Sequence, residues 1–179
     1  MSSKKPPIPW CEIKTIDQLI GVTVALAGGA GLSPYAPGTA GSVVGLAMVW
    51  LLQVSQTSTA FQIINILILT IIGSWAAQQV VNLTHTSDHQ SIVIDEVIGM
   101  AIGALTCQGN LTSLTIAFFL FRFFDILKLP PVRKIDQWSK TTTNEWKYVR
   151  GFGVIADDII AGLQTLTVMY FIQSYFHLN

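Results

Sequence analysis

Apolar positions run along this chain in long blocks, broken by clusters of glycine, proline and small polar residues. Residues 18–87, seventy in succession, contain no Asp, Glu, Lys or Arg, and the same holds for 97–121 and 159–179. Such charge-free lengths are rare on helices that face water on one side. Turn and cap residues divide the blocks into six helical segments: about 16–27, from Thr39 or Ser42 to about 54, 60–83, 92–106, 111–127 and 156–176. Between the first two lies a Gly/Pro-rich loop, 28–38, dense in turn signals. The fifth segment ends before Pro130-Pro131, as a helix should. The pattern predicts an all-α protein, a compact multi-helix bundle of about six helices.

Composition moves that bundle toward the bilayer. Hydrophobic residues make up 51% of the 179 and charged residues 11%, with mean hydropathy +0.54, well below the charge content of ordinary globular domains. Only 60–81 and 159–176 approach the roughly 20 apolar residues that span a membrane, so a soluble helical bundle is the alternative. Membrane integration is the expectation. Six of the ten Lys and Arg fall between Lys128 and Arg150, which by the positive-inside rule places that loop and the N-terminus, with Lys4, Lys5 and Lys14, on the cytoplasmic side. Nothing marks an interdomain linker, so 1–179 reads as a single domain with residues 1–15 as an N-terminal tail. The net charge of zero and the lack of a basic stripe argue against a nucleic-acid partner. Cys11 and Cys107 have neither a CxxC spacing nor a disulfide framework and read as reduced.

Against this apolar background the acids stand out. Asp95-Glu96 and Asp157-Asp158 form two adjacent pairs, and Asp88 and Asp125 lie in or beside equally apolar stretches. An ionised carboxylate there costs several kcal/mol or more unless a cation, a hydrogen-bond set or protonation compensates it. Magnesium fits, since it takes one or two carboxylates, waters and a substrate phosphate. The plainer alternative is that acids in a helix's first turn complement the macrodipole. Asp95 and Asp158 each precede a glycine, Gly99 and Gly162, by four residues. Helices crossing at those glycines would bring the carboxylates together. Arg122, Asp125 and Lys128 share one face of the fifth helix, a fork and a point charge suited to phosphate; the alternative is an ion pair that staples helices. Arg133 follows the proline turn. Pro37-Gly38-Thr39-Ala40-Gly41-Ser42 is a candidate anion loop, with Thr39 and Ser42 offering hydroxyls, and His89 is a candidate proton shuttle or a plain loop residue.

Four segments in order resemble the phosphatidylglycerophosphatase A family: Gly29-Ala30-Gly31-Leu32-Ser33-Pro34-Tyr35-Ala36-Pro37-Gly38-Thr39-Ala40-Gly41-Ser42, Ile92-Val93-Ile94-Asp95-Glu96-Val97-Ile98-Gly99, Phe121-Arg122-Phe123-Phe124-Asp125-Ile126-Leu127-Lys128 with Pro131, and Gly153-Val154-Ile155-Ala156-Asp157-Asp158 with Ala161-Gly162. The resemblance covers about 29–162. It departs at Leu129-Pro130-Pro131, Ala40 and Arg150, none of which removes a carboxylate. It implies a magnesium-dependent enzyme of the bacterial cytoplasmic (inner) membrane, active on the cytoplasmic side, that hydrolyses the phosphate monoester of phosphatidylglycerophosphate to phosphatidylglycerol and phosphate. On that reading Asp95, Glu96, Asp157 and Asp158 bind the metal, Asp125 is a further ligand or base, and Arg122 and Lys128 neutralise the transferring phosphate, with Thr39, Ser42 and Arg133 as further phosphate contacts. The alternatives are a small ion-binding or transport membrane protein, because intramembrane acids often mark ion paths, and a phosphatase of another lipid phosphate.

Overall fold

The computed structural model describes residues 8–86, 89–127 and 149–176. Among these the regular structure is entirely helical. A single 3-10 turn, Trp10–Glu12, precedes α1 (Ile16–Ala25), and a second, Ala27–Leu32, leads into α2 (Pro37–Val54); α3 (Thr59–Thr84), α4 (Ile94–Gly103), α5 (Leu111–Leu127) and α6 (Val149–Phe176) follow.

Local chemistry sets most of these ends. Ser58 caps α3 by accepting the Phe61 N–H at 3.2 Å, and His85 closes it in the left-handed conformation at φ 53°. Asn110 Oδ1 accepts from the N–H groups of Thr112 and Ser113, satisfying two of the free donors at the start of α5. Two starts differ from the sequence expectation. α2 opens at Pro37, because proline at the first helical position lacks only an N–H that would be unpaired there anyway; what reads as an anion loop is its first turn. α6 opens at Val149, seven residues early, running through Gly151 and Gly153 despite their weak helix propensity.

The short helix α4 is the hub. Ile94, Val97, Ile98, Gly99, Met100, Ala101 and Gly103 are all buried, and α2, α3, α5 and α6 pack around it. Its tightest partner is α6, and they meet backbone to backbone. A Cβ on Gly162 would collide with the Gly99 carbonyl, and one on Gly99 would lie 2.6 Å from the Asp158 carbonyl and from the Phe121 ring. Only hydrogen at both positions permits that approach. Phe121, Ile98, Met100, Ile155 and Met169, all fully buried, fill the space around the crossing. Cys107 is buried beyond α4, where desolvation pushes its thiol up to about 12; such a thiol is inert as a nucleophile.

The outside is greasy as well. Pro37–Val54, Thr59–Thr84 and Phe152–Phe176 are long and apolar enough to cross a membrane, and only 28%, 28% and 44% of their most apolar stretches are buried within the molecule. Along α3 alone, Phe61, Ile64, Leu67, Ile68, Ile71 and Ile72 are exposed. Such a surface is unfavourable in water and natural in lipid. The earlier start of α2 adds it to the two segments long enough by sequence.

Candidate active site

The Gly99–Gly162 crossing fixes the positions of the acids. Asp95 and Glu96 occupy the first turn of α4, while Asp158 lies on α6 one turn before Gly162. Each offers a carboxylate oxygen such that the three oxygens lie within 4.8 Å of one another. Like charges at that separation repel by on the order of 3 kcal/mol per pair at an effective dielectric constant of about 20. Burial, with the charge of Glu96 added to it, pushes the Asp95 carboxyl well above the usual carboxylate range. Burial also raises Glu96; its contact with Asp95 and the Arg122 guanidinium offset part of the rise, and the Asp125 charge adds to it. Among the described residues Glu96 Oε2 is buried without a hydrogen-bond partner. A buried acceptor left in that state costs about 1–3 kcal/mol or more, and a divalent cation would satisfy it. The donor set fits a hard ion: three carboxylates, all oxygen.

Macrodipole complementation does not account for the second pair. Asp157 and Asp158 sit two turns inside α6, far from its free N–H groups. Asp157 is half-buried and lies outside the trio, yet close enough for its charge to act on Asp95. Asp125, on α5, is close enough for its charge to act on Glu96 and Asp158.

Arg122 Nη1 pairs with Asp125 Oδ2 at 2.7 Å within α5, and also donates to Ser42 Oγ on α2 at 3.3 Å. Ser42 is fully buried; its own hydroxyl donates to the Gly38 carbonyl at 3.0 Å. It therefore faces the guanidinium from behind. Gly38 lies against the Glu96 carboxylate so closely that a Cβ there would strike Oε1. A cleft of about 290 Å³ opens onto these groups, lined by Ala36, Pro37, Gly38, Thr39, His89, Gln90, Ile92, Asp95, Glu96, Arg122 and Val154. Pro37, Gly38 and Thr39, the first turn of α2, line it, and the start of a helix is a setting that favours an anion.

Of the residues singled out by sequence, Asp95, Glu96 and Arg122 line the cleft with Thr39 and His89. Asp158 stands behind them in the carboxylate cluster, with Asp125 beside it. Lys128 and Arg133 lie outside the described residues, as does Asp88. Gln90, Ile92 and Val154 also form the wall. Val154 precedes Asp158 by four residues, so it shares that face of α6, a relation visible in sequence only once the helix is known to start before Ala156.

The model of the phosphatidylglycerophosphatase A family matches residues 23–173. The chain belongs to this family. It is 34% identical over 155 residues to the phosphatidylglycerophosphatase A of Haemophilus influenzae, covering 84% of this chain and 86% of that protein. Against the phosphatidylglycerophosphatase A of Escherichia coli it is 31% identical over 159 residues, 87% of this chain and 85% of that one. A protein of Bacteroides thetaiotaomicron provisionally named a phosphatidylinositol-3-phosphatase is 32% identical over 151 residues, covering 79% and 86%. No solved structure matches the chain. Membership in the phosphatidylglycerophosphatase A family makes the chain a phosphatase; the ester it cleaves and the ion it uses are separate questions.

Proposed function

We propose that this phosphatase hydrolyses the phosphate monoester of phosphatidylglycerophosphate, releasing phosphatidylglycerol and phosphate at the cytoplasmic face of a bacterial inner membrane, with magnesium held by Asp95, Glu96 and Asp158. The observation that carries the reading is the buried carboxylate trio with the orphaned Glu96 Oε2, beside a guanidinium and a helix N-terminus. Two of the relatives are named for that activity. The exposed apolar faces of α2, α3 and α6 support a membrane site for a lipid substrate.

Bound by the trio, a divalent ion would neutralise phosphate charge and help activate the attacking nucleophile. The remaining work falls to side chains. Arg122, braced by Asp125 and Ser42, offers its free N–H groups to the phosphate oxygens without having to reorganise, the kind of fixed electrostatic help that dominates such reactions. Thr39 and the first N–H groups of α2 hold the anion from the other side. Asp125 would serve as a further ligand or as the base. Asp157 is proposed to support the trio from the next position on α6. Lys128 and Arg133 are retained from the sequence as further phosphate contacts.

The test is phosphate release from a panel of lipid phosphates, including phosphatidylglycerophosphate and phosphatidylinositol 3-phosphate, with and without magnesium, for the parent and Asp158→Asn. The expected result is magnesium-dependent turnover of phosphatidylglycerophosphate that the substitution abolishes. Turnover that ignores magnesium would sink the metal assignment, and preference for the inositol lipid would move the substrate to the one for which the Bacteroides relative is named.

A further inference from the structure

We infer that α1 is itself a membrane element: its exposed face, Ile16, Leu19 and Ile20, contacts acyl chains of the leaflet that carries the cleft. The carboxylate trio then lies beneath the hydrocarbon boundary instead of above it. The inference rests on the membrane reading given above and goes beyond it, because α1 is apolar but too short to span a bilayer. α1 is two-sided. Gly21, Val22 and Ala25 are buried, while Ile16, Leu19 and Ile20, spaced i, i+3 and i+4 on one helix face, are 77%, 48% and 51% exposed. That face continues a surface already suited to lipid. A Cβ on Gly21 would meet the side chains of Gln79 and Trp75, so α1 lies against α3 directly beyond the exposed Ile68, Ile71 and Ile72. Charge is confined to one end: Glu12, Lys14 and Asp17 precede or open the helix, and the next seventy residues contain no Asp, Glu, Lys or Arg. Such a division suits an element that enters a leaflet from its water side.

Depth decides between lipid and water. Gly73 of α3 packs on Ile94 and Ile98, and Gly41 of α2 on Val93 and Glu96, so both mark the level of the trio. From that level to the far helix ends, Thr59 and Val54, each helix runs about 20 Å at about 1.5 Å per residue. The same count on α6, from Asp158 to Phe176, gives about 27 Å. The far end cannot sink into the slab, because its loops, 55–58 and 104–110, expose Ser55, Gln56 and Gln108, and irregular backbone is not tolerated against lipid. A hydrocarbon slab about 30 Å thick therefore extends about 3–10 Å past the trio on the near side. Gln79 lies about 9 Å past Gly73 by the same rise, so α1 beside it occupies that depth. Carboxylates below the boundary are tolerated where they face the bundle interior, as Asp95, Glu96 and Asp158 do at the seam of α4 and α6.

The experiment places one spin label at a time, at Ile16→Cys, Leu19→Cys or Ile20→Cys, in the full chain carrying Cys11→Ser; Cys107 is buried and stays unlabelled. Lys14→Cys is the water reference, and Leu67→Cys, exposed on α3, is the lipid reference. Each protein is reconstituted in vesicles of phosphatidylethanolamine and phosphatidylglycerol, and power saturation reads collisions with oxygen and with a water-soluble nickel chelate present on both sides. Labels at Leu19 and Ile20 should match the Leu67 label, with an oxygen-to-nickel ratio about tenfold above that at Lys14, since the hydrocarbon excludes the polar reagent. The Ile16 label, next to the charged end, should fall between the references. Labels at Leu19 and Ile20 that match Lys14 while Leu67 reads lipid overturn the inference and leave the membrane reading standing. Labels there that are shielded from both reagents and broadened by a neighbouring spin place a second copy of the chain on the face, and overturn it too. A Leu67 label that matches Lys14 overturns the membrane reading and this inference with it. Leu19→Cys and Ile20→Cys are independent, so if one misfolds, as read by thermal unfolding, the other decides.

Discussion

The two ends of the helix bundle handle buried polar groups in opposite ways. Near the C-terminal ends of α2, α4 and α6, glutamines close the structure. Gln53 donates to the Ala104 and Leu105 carbonyls at 3.0 and 3.2 Å and to Gln62 at 3.4 Å, and it accepts the Gly109 N–H at 2.8 Å; Gln173 donates to the Thr106 carbonyl at 3.0 Å. These neutral amides are matched mainly by backbone, and the one side-chain atom left over beside them, Thr106 Oγ1, is an uncharged hydroxyl without a partner among the described residues. At the other end, three carboxylates crowd together and Glu96 Oε2 has no partner among the described residues. Polar groups that satisfy each other hold a fold; polar groups gathered and left unsatisfied mark a place for something the chain does not supply.

The sharpest way to break this contrast is to neutralise one acid. Glu96→Gln or Asp158→Asn should cut phosphate release by at least about a hundredfold, while thermal unfolding in chelator stays the same or shifts upward, because a repelling buried charge has gone. A variant of either kind that keeps its activity would reduce the trio to a structural feature. Next in size is Gly162→Ala, whose methyl meets the Gly99 carbonyl; wedging α4 from α6 should cost about 1–3 kcal/mol and weaken magnesium binding in the same variant, measured by unfolding and by titration calorimetry. Gln53→Ala provides the opposite pairing. It removes the partner of the Gly109 N–H and of the Leu105 carbonyl, while the Ala104 carbonyl keeps the Cys107 N–H, and should destabilise by about 1–3 kcal/mol, with kcat on the lipid unchanged. A fall in kcat there would show that the two ends are not independent.

The smallest effect is one of pH. Asp95 and Glu96 titrate above their ordinary values of 3.8 and 4.5 in the ion-free protein. A carboxylate whose folded value is raised contributes stability that is fully present below the ordinary value and is lost as pH rises through the folded one. In chelator, the unfolding temperature should therefore fall as pH climbs from about 4 toward neutral. Saturating magnesium should flatten that slope, and an identical slope with and without the ion would count against the site.

How much of this was readable from residues alone follows from sequence distance. The echo between Ile94-Asp95-Glu96-Val97-Ile98-Gly99 and Ala156-Asp157-Asp158-Ile159-Ile160-Ala161-Gly162 foretold the crossing of α4 and α6, because an acid and a glycine four apart share one helix face. Which member of Asp157-Asp158 turns inward was not readable. Neighbours on a helix differ by about 100° in direction, and only the packing of α6 decides. The start of α2 was hidden by Pro37-Gly38, which reads as loop and forms a first turn. The glutamine network was invisible because Gln53, Gln62 and Gln173 look like polar residues merely tolerated in apolar helices, and their partners lie on other elements. Ser42 looked like an anion ligand; that its hydroxyl braces Arg122 depends on α2 and α5 lying side by side.

The meeting of Gly99 with Gly162 leaves no slack between α4 and α6, and the three carboxylates straddle that seam. On the proposed reading, ion occupancy and closure of the bundle would be one equilibrium: what loosens the seam would empty the site, and what fills the site would tighten the seam. Depletion of the ion would then leave not merely an idle enzyme but a softer one, more open to proteolysis.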